Sequence, residues 1–235
     1  MKDSIRHFVS ELIGTFALVF IGSGAILLTK MPDSNVGLVG VALAHGIILS
    51  VMVTATMRIS GHFNPAVTIA FLTTRRIGPF MAGVYVLAQI LGAMLAAYAL
   101  KAGTPEALFE AARGGGQTVS LDISTGQAFM LEAIGAFFLI FVIFGTAVDP
   151  KAPRVGGFAI GLTLAAVILA IGPFTGGSIN PARSFGPAIA SGIWEGHLIY
   201  WIGPIVGGVL AAQIYEWVLI RHAIEPVDHG PVEPV

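Results

Sequence analysis

The chain reads Gly-His-Phe-Asn-Pro-Ala-Val-Thr at 61–68 and Gly-Gly-Ser-Ile-Asn-Pro-Ala-Arg-Ser at 176–184. Asparagine is favoured immediately before a helix, and proline is favoured at the first helical position, so each Asn-Pro-Ala triplet predicts a helix start. The apolar run after the first triplet is about nine residues long, which is about half the length needed to cross a ~30 Å hydrocarbon core. We therefore expect two half-helices, at 64–73 and 180–190.

The composition is that of an integral membrane protein. Of 235 residues, 55% are hydrophobic and only 11% are charged, and the mean hydropathy is +0.86. The formal net charge is −1 and the only adjacent basic pair is at 75–76, so nucleic acid is not an expected partner. The absence of cysteine excludes disulfides, thiolate catalysis and cysteine metal sites, and it predicts insensitivity to mercurials.

Six apolar runs are long enough to cross a bilayer as helices. They lie at about 8–28, 37–57, 79–100, 127–148, 155–172 and 197–220. The half-helices fall between the second and third runs and between the fifth and sixth. We expect residues 1–7 to form a cytoplasmic N-terminus and the acidic, proline-rich segment 223–235 to form a disordered cytoplasmic tail.

The chain consists of two related halves, 8–100 and 127–222, joined by an extracellular loop at 101–126. Glu-Leu-Ile-Gly-Thr-Phe at 11–16 is similar to Glu-Ala-Ile-Gly-Ala-Phe at 132–137, and the two Asn-Pro-Ala triplets are 116 residues apart. Because each half has three full spans, the second half must enter the membrane from the opposite side. The sequence therefore predicts an all-α membrane protein, with six spanning helices and two re-entrant half-helices in inverted repeats.

The distribution of basic residues favours both termini in the cytoplasm. In that orientation eight basic residues face the cytoplasm, and they are Lys2, Arg6, Arg58, Arg75, Arg76, Lys151, Arg154 and Arg221. Four face the other side, and they are Lys30, Lys101, Arg113 and Arg183. We expect the protein to lie in the cell membrane, which is the plasma membrane or the inner membrane, and to cross it several times.

Half-helices that end inside a membrane predict a pore between their tips. Each tip leaves about four backbone N–H groups without helical partners, which is tolerated at that depth only against protein or a water-filled cavity. The amides of Asn64 and Asn180 can donate into the cavity, and each helix dipole adds about half a positive charge. A central water molecule would keep its oxygen toward the amides, which interrupts a proton-conducting chain. We expect neutral solutes to pass and ions and protons to be excluded.

The two Asn-Pro-Ala boxes, with Arg183 after the second, resemble those of the aquaporin, or major intrinsic protein, family. The resemblance covers about residues 8–220. It implies an aquaporin-like fold with one pore per protomer, assembled as a homotetramer in the lipid bilayer. It also assigns the pore motifs to Asn64, Pro65, Ala66, Asn180, Pro181 and Ala182.

The same resemblance assigns an outer selectivity filter to His45, Ile168, Gly177 and Arg183. This set is similar to the filter of plant tonoplast-type aquaporins that also pass ammonia, and Gln117 is a filter neighbour where those channels tend to have a histidine. An apolar isoleucine and a glycine should widen the ring, while the arginine repels cations. The expected solutes are water and, beyond it, ammonia or other small neutral molecules.

Carboxylates inside a membrane often belong to an ion site or a proton relay. Glu11 and Glu132 recur at equivalent positions, so we favour a role as acceptors that support the half-helix loops, with His62 packed under the first loop. Alternative functions are a glycerol or urea facilitator and an ion-coupled secondary transporter, since carriers also contain broken helices in inverted repeats. No nucleophile with a base is recognisable, so we expect no enzyme activity, catalytic residue, metal or cofactor.

Overall fold

The structure is a computed structural model that describes residues 2–153 and 155–220. All regular structure in these residues is helical. The α-helices are α1 (Lys2–Leu28), α2 (Leu38–Thr56), α3 (Pro65–Thr73), α4 (Pro79–Gly103), α5 (Glu106–Ala111), α6 (Thr125–Ile143), α7 (Gly156–Thr175), α8 (Pro181–Ser191) and α9 (Ile199–Ile214). The predicted tail at 223–235 and the basic residues Arg154 and Arg221 lie outside the described residues.

Six of these helices are long and apolar enough to cross a membrane, and their best windows have mean hydropathies between 1.4 and 2.3. Two of the six, α6 and α9, continue into π-helical turns at Phe144–Val148 and Tyr215–Ile220. The prediction of six spanning helices is confirmed. The helices α3 and α8 have 9 and 11 residues and are the two half-helices.

The connection between the two halves contains structure that its composition did not suggest. The helix α4 continues past residue 100, and α5 is followed by a 3-10 turn at Arg113–Gly115. Gly115 has a φ of +74° and lies directly against Ser23 of α1, whose hydroxyl donates to the Gly115 carbonyl at 3.3 Å. The connecting segment is therefore docked on the first spanning helix.

The two halves interlock through their half-helices. Each half-helix packs against the last spanning helix of the other half, α3 on α9 and α8 on α4. Gly186 of α8 lies so close to the Ala93 carbonyl of α4 that no side chain fits between them. At the centre, α2 crosses α7 where Gly46 and Gly161 face each other, and a Cβ atom added at Gly46 would lie 2.6 Å from the Gly161 carbonyl oxygen. Glycine at these contacts lets the backbones approach closely.

A second pair of glycines brings the first and third spans of each half together. Gly92 of α4 lies against the backbone of Leu12 and Phe16 on α1. Gly207 of α9 occupies the equivalent place in the second half and lies against the Ala133 carbonyl of α6. The two halves therefore use the same close crossing, as expected for repeats.

Candidate pore and selectivity filter

The two half-helices begin in the same way. Asn64 is extended, with a φ of −157°, and its Oδ1 accepts a hydrogen bond from the Ala66 backbone N–H at 2.9 Å. Asn180 is also extended, and its Oδ1 accepts from Ala182 at 3.0 Å and from Arg183 at 3.2 Å. Each asparagine therefore caps its own half-helix and satisfies N–H groups that the helix leaves unpaired.

Each asparagine also binds the loop of the opposite half. The Nδ2 amide of Asn64 donates to the Ile179 carbonyl at 2.9 Å, and that of Asn180 donates to the Phe63 carbonyl at 2.8 Å. Phe63 and Ile179 have φ values of 49° and 47°, a left-handed conformation that residues other than glycine seldom adopt. Since a side-chain amide carries two hydrogens, each asparagine keeps one donor for the space between the half-helices.

Glu132 of α6 supports the second loop. Its buried carboxylate accepts hydrogen bonds from the backbone N–H groups of Ser178 at 2.9 Å and Ile179 at 2.6 Å. The Thr175 hydroxyl donates to it at 2.7 Å. Because all three partners donate, an ionised carboxylate fits this position, and it holds the left-handed residue before the second box in place.

Glu11 of α1 has the corresponding contacts in the first half. It accepts from the backbone N–H groups of His62 at 2.8 Å and Phe63 at 2.7 Å, and from the amide of Gln89 at 2.7 Å. The Ser60 hydroxyl also donates to it. These contacts support the structural interpretation of the two carboxylates.

His62 is both packed and placed beside a cavity. Its Nδ1 lies 3.1 Å from the Thr68 hydroxyl, and its ring centroid is 4.3 Å from that of Phe71. One part of the residue borders the internal cavity between the half-helices. It therefore contributes to the wall of this cavity as well as to the support of the first loop that we predicted.

The cavity between the half-helices is narrow, with a volume of about 10 Å³, which is about the space that one water molecule needs. It is lined on one side by leucine, isoleucine and valine side chains. Its polar lining consists of His62, Asn64, Ser178, Asn180 and Arg183. A passage this narrow holds water molecules one at a time.

Arg183 is buried at the end of this cavity, with 1% of its surface exposed. Its Nη1 donates to the Gly177 carbonyl at 3.1 Å, whereas its Nε and Nη2 atoms have no hydrogen-bond partner among the described residues. Gly177 is left-handed, with a φ of +56°, and a Cβ atom added there would lie 3.1 Å from the Ile168 Cα. Arg183 therefore offers two free donors, and Gly177 lies between it and Ile168.

His45 is fully buried on α2, within electrostatic range of Arg183. Its Nδ1 lies 2.8 Å from the Val41 carbonyl, and because a carbonyl only accepts, Nδ1 carries the hydrogen. The Nε2 atom is then an acceptor, and it has no partner in the described residues. The four residues assigned to the filter thus lie together, although only Arg183 of the four borders the cavity.

Gln117 lies behind the second half-helix. Its Oε1 accepts from the Ser184 hydroxyl at 2.8 Å, and that hydroxyl is 2.5 Å from the Ser178 hydroxyl. The side chain of Gln117 also fills the space beside Gly176, where a Cβ atom would lie 2.7 Å from its Cγ. Gln117 therefore links the connecting segment to the loop that carries the filter.

Sequence reasoning missed two residues that shape the second loop. The Thr175 hydroxyl accepts from the Gly177 N–H at 3.1 Å, and the Tyr200 hydroxyl donates to the Thr175 carbonyl at 2.9 Å. Tyr200 lies 115 residues after Tyr85, close to the 116-residue spacing of the two Asn-Pro-Ala triplets, and is its equivalent in the second half. Its partner could not be identified, because Thr175 and Tyr200 come together only when α7 and α9 both pack on α6.

Comparisons with known proteins show the family to which the chain belongs. The chain matches the family model described as Major intrinsic protein over residues 1–215. It is 42% identical over 247 residues to probable aquaporin TIP3-2 of Arabidopsis thaliana, with 99% of this chain and 91% of that protein covered. It is 40% identical to Nodulin-26 of Glycine max, with 95% of this chain and 80% of that protein covered.

The fold is similar to the X-ray structure of the aquaglyceroporin from Plasmodium falciparum. The TM-score is 0.78 at 26% sequence identity, and the match covers 92% of this chain and 96% of that chain. The chain therefore belongs to the major intrinsic protein family of membrane channels, and the predicted resemblance is confirmed. It is an integral membrane protein that crosses the bilayer several times.

Proposed function

We propose that this chain is a passive channel for water, whose path runs between Asn64 and Asn180 and past Arg183. The observation that carries the proposal is the pair of reciprocal bonds, in which each asparagine caps its own half-helix and binds the loop of the other half. This arrangement brings two helix N-termini to one point of a narrow cavity. The similarity to plant proteins named aquaporins supports water as the main solute.

Exclusion of ions and protons follows from the charges around this path. Arg183 contributes a fixed positive charge, and the two half-helix N-termini add about half a charge each. The carboxylates of Glu11 and Glu132 are occupied by loop donors and are not among the residues that line the cavity. A cation therefore meets positive charge in a cavity whose lining, among the described residues, contains no carboxylate, whereas a neutral molecule is not repelled.

Ammonia is the further solute that this filter suits. The leucine, isoleucine and valine side chains that line the cavity form an apolar wall, which lowers the cost of passage for a molecule that makes fewer hydrogen bonds than water. The free donors of Arg183 can bind the ammonia lone pair. Glycerol is the second candidate, because a structural relative is titled an aquaglyceroporin. The narrow cavity favours water and ammonia over glycerol or urea.

The same proposal includes a homotetramer with both termini in the cytoplasm. Large apolar side chains stay exposed on the outer faces of the spans, for example Ile47 at 60% and Phe158 at 64%, and they suit lipid or a neighbouring protomer. Six spans place both termini on one side, where basic residues predominate. Similarity to TIP-type aquaporins gives no support to the plasma membrane in particular.

The solute range is tested with proteoliposomes that contain a pH-sensitive dye. An inward gradient of ammonium chloride should alkalinise the lumen faster than in empty liposomes, because ammonia enters without its proton. Glycerol should enter the same proteoliposomes no faster than it enters empty liposomes. Rapid glycerol entry would favour the facilitator alternative, and flux that depends on an ion gradient would favour the transporter alternative.

A further inference from the structure

The imidazole of His45 lies against the backbone of α1 at Gly22. The hydrogen bond from Nδ1 to the Val41 carbonyl fixes the ring plane and turns its Nε2 edge toward α1. A Cβ atom added at Gly22 would collide with both Nε2 and Cδ2 of the ring. No side chain at position 22 is therefore compatible with the observed position of His45.

The helix α1 is held by a second close contact beside this one. The next residue, Ser23, packs against Gly115 of the connecting segment, where a Cβ atom would lie 2.5 Å from the Ser23 Cβ. The Ser23 hydroxyl also donates to the Gly115 carbonyl. Because α1 is held from this side, a side chain at position 22 would displace the imidazole and not the helix.

We expect the displaced ring to move toward the pore. Arg183 lies within electrostatic range of His45 and borders the cavity, whereas the His45 ring is fully buried and does not. Movement from Gly22 toward the guanidinium would bring the imidazole into the opening beside Arg183. In the observed structure the ring is withdrawn from that opening.

We infer that Gly22 is a positioning residue of the selectivity filter, and that its missing side chain sets the width of the filter by letting the His45 ring withdraw. The inference rests on the filter function proposed above. The requirement is specific to this position, since at Gly24, one residue beyond Ser23, an added Cβ would meet only the Leu100 Cδ2 at 3.7 Å. Gly24 therefore provides a matched control on the same helix.

The test compares Gly22→Ala, Gly24→Ala, His45→Ala and the double variant Gly22→Ala/His45→Ala in proteoliposomes with equal amounts of reconstituted protein. Water and ammonia permeabilities are measured for each. Gly22→Ala should lower both several-fold, and Gly24→Ala should match the wild type. The double variant should match His45→Ala, because without the imidazole the added methyl group has nothing to displace.

The double variant separates positioning from a general packing defect. A flux loss from Gly22→Ala that persists without the imidazole would overturn the inference, as would wild-type flux in Gly22→Ala. If Gly22→Ala does not fold, a folded double variant with the permeability of His45→Ala supports the inference, and an unfolded one overturns it. Wild-type flux equal to that of empty liposomes would instead overturn the proposed function itself.

Discussion

At the scale of single residues, Glu132 is the clearest example of a buried charge with a structural task. In the wild type, the Glu132 carboxylate faces only hydrogen-bond donors. A glutamine at this position keeps one acceptor oxygen but places an NH2 group, which is itself a donor, against one or more of them. At least one buried N–H loses its partner, which costs about 1–3 kcal/mol. We expect Glu132→Gln to lower the thermal unfolding midpoint in detergent. The exposed Glu195→Gln should leave it unchanged, and equal midpoints for both variants would contradict this role.

His197, in the loop before α9, should make stability depend on pH. The Trp201 indole N–H donates to its Nε2 at 3.1 Å, and burial lowers the pKa of His197 below its usual value. The folded state therefore binds its proton less readily than the unfolded chain. The stabilisation is fully present above the unfolded pKa of about 6.5 and is lost as the pH falls through the lower folded pKa.

The measurement is the unfolding midpoint and the tryptophan fluorescence between about pH 8 and pH 5. Acid should lower both, because protonation removes the acceptor for Trp201 and places a charged imidazole 4.8 Å from the Trp194 ring centroid. His197→Gln keeps a side-chain acceptor without a titrating group and should flatten this component. An unchanged acid response in that variant would assign the effect to other groups.

At the scale of helices, the close crossings depend on Gly92 and Gly207. An added methyl group would meet the Leu12 carbonyl in the first half and the Ala133 carbonyl in the second. We expect both alanine variants to be destabilised by about 1–3 kcal/mol, because overpacking forces the helices apart. Gly83→Ala, on α4 with nothing within 4 Å of the added Cβ, should be neutral or slightly stabilising. Thermal unfolding of the three variants in one detergent checks this order.

The sequence predicts those helices that are marked by a pattern within a short stretch of neighbouring residues. Six spans follow from hydropathy, and both half-helix starts follow from an asparagine cap before a proline. The short helix α5 and the π-helical turns were not predicted, because no hydrophobic period marks them. The reciprocal hydrogen bonds of Asn64 and Asn180 were not predicted either, because they join residues more than 100 positions apart. Their acceptor carbonyls belong to Phe63 and Ile179, whose left-handed conformation has no recognisable sequence pattern.

Filter chemistry was predictable only as a set of residue types. The resemblance brought His45, Ile168, Gly177 and Arg183 into one group, and in the structure Gly177 contacts both Arg183 and Ile168, while only Arg183 borders the cavity. The withdrawal of the His45 ring onto Gly22 could not be predicted, since it depends on how α1 crosses α2. Whether the four residues set selectivity stays a prediction for the flux measurements.

At the scale of the whole molecule, the two halves are related by an approximate symmetry, but the charged side chain that lines the cavity comes from only one of them. Val67 and Arg183 occupy equivalent positions, each directly after its Asn-Pro-Ala box, and both line the cavity. The wall of the passage is therefore apolar at one of these equivalent positions and cationic at the other. The repeat supplies the two helix N-termini, and a single substitution between the halves places the filter on one side.

The absence of cysteine gives a further prediction for the whole chain. Mercurials block water pores by binding accessible thiols, and this chain has none. Water flux through the purified protein should be unchanged by mercuric chloride, whereas a Val67→Cys variant, with its thiol on a residue that lines the cavity, should be inhibited and then restored by a reducing thiol. Inhibition of the wild-type protein would show that the flux comes from another component.

The central claim is that water crosses through the cavity between the half-helices, and osmotic shrinkage of proteoliposomes by stopped-flow light scattering tests it most directly. Leu164 lines the cavity, whereas Leu162, on the same helix, is 51% exposed on the outer surface. We predict rapid shrinkage with a low activation energy for the wild type and Leu162→Trp, and shrinkage at the rate of empty liposomes for Leu164→Trp. Equal rates for the two tryptophan variants, or a wild-type rate no faster than that of empty liposomes, would contradict the account.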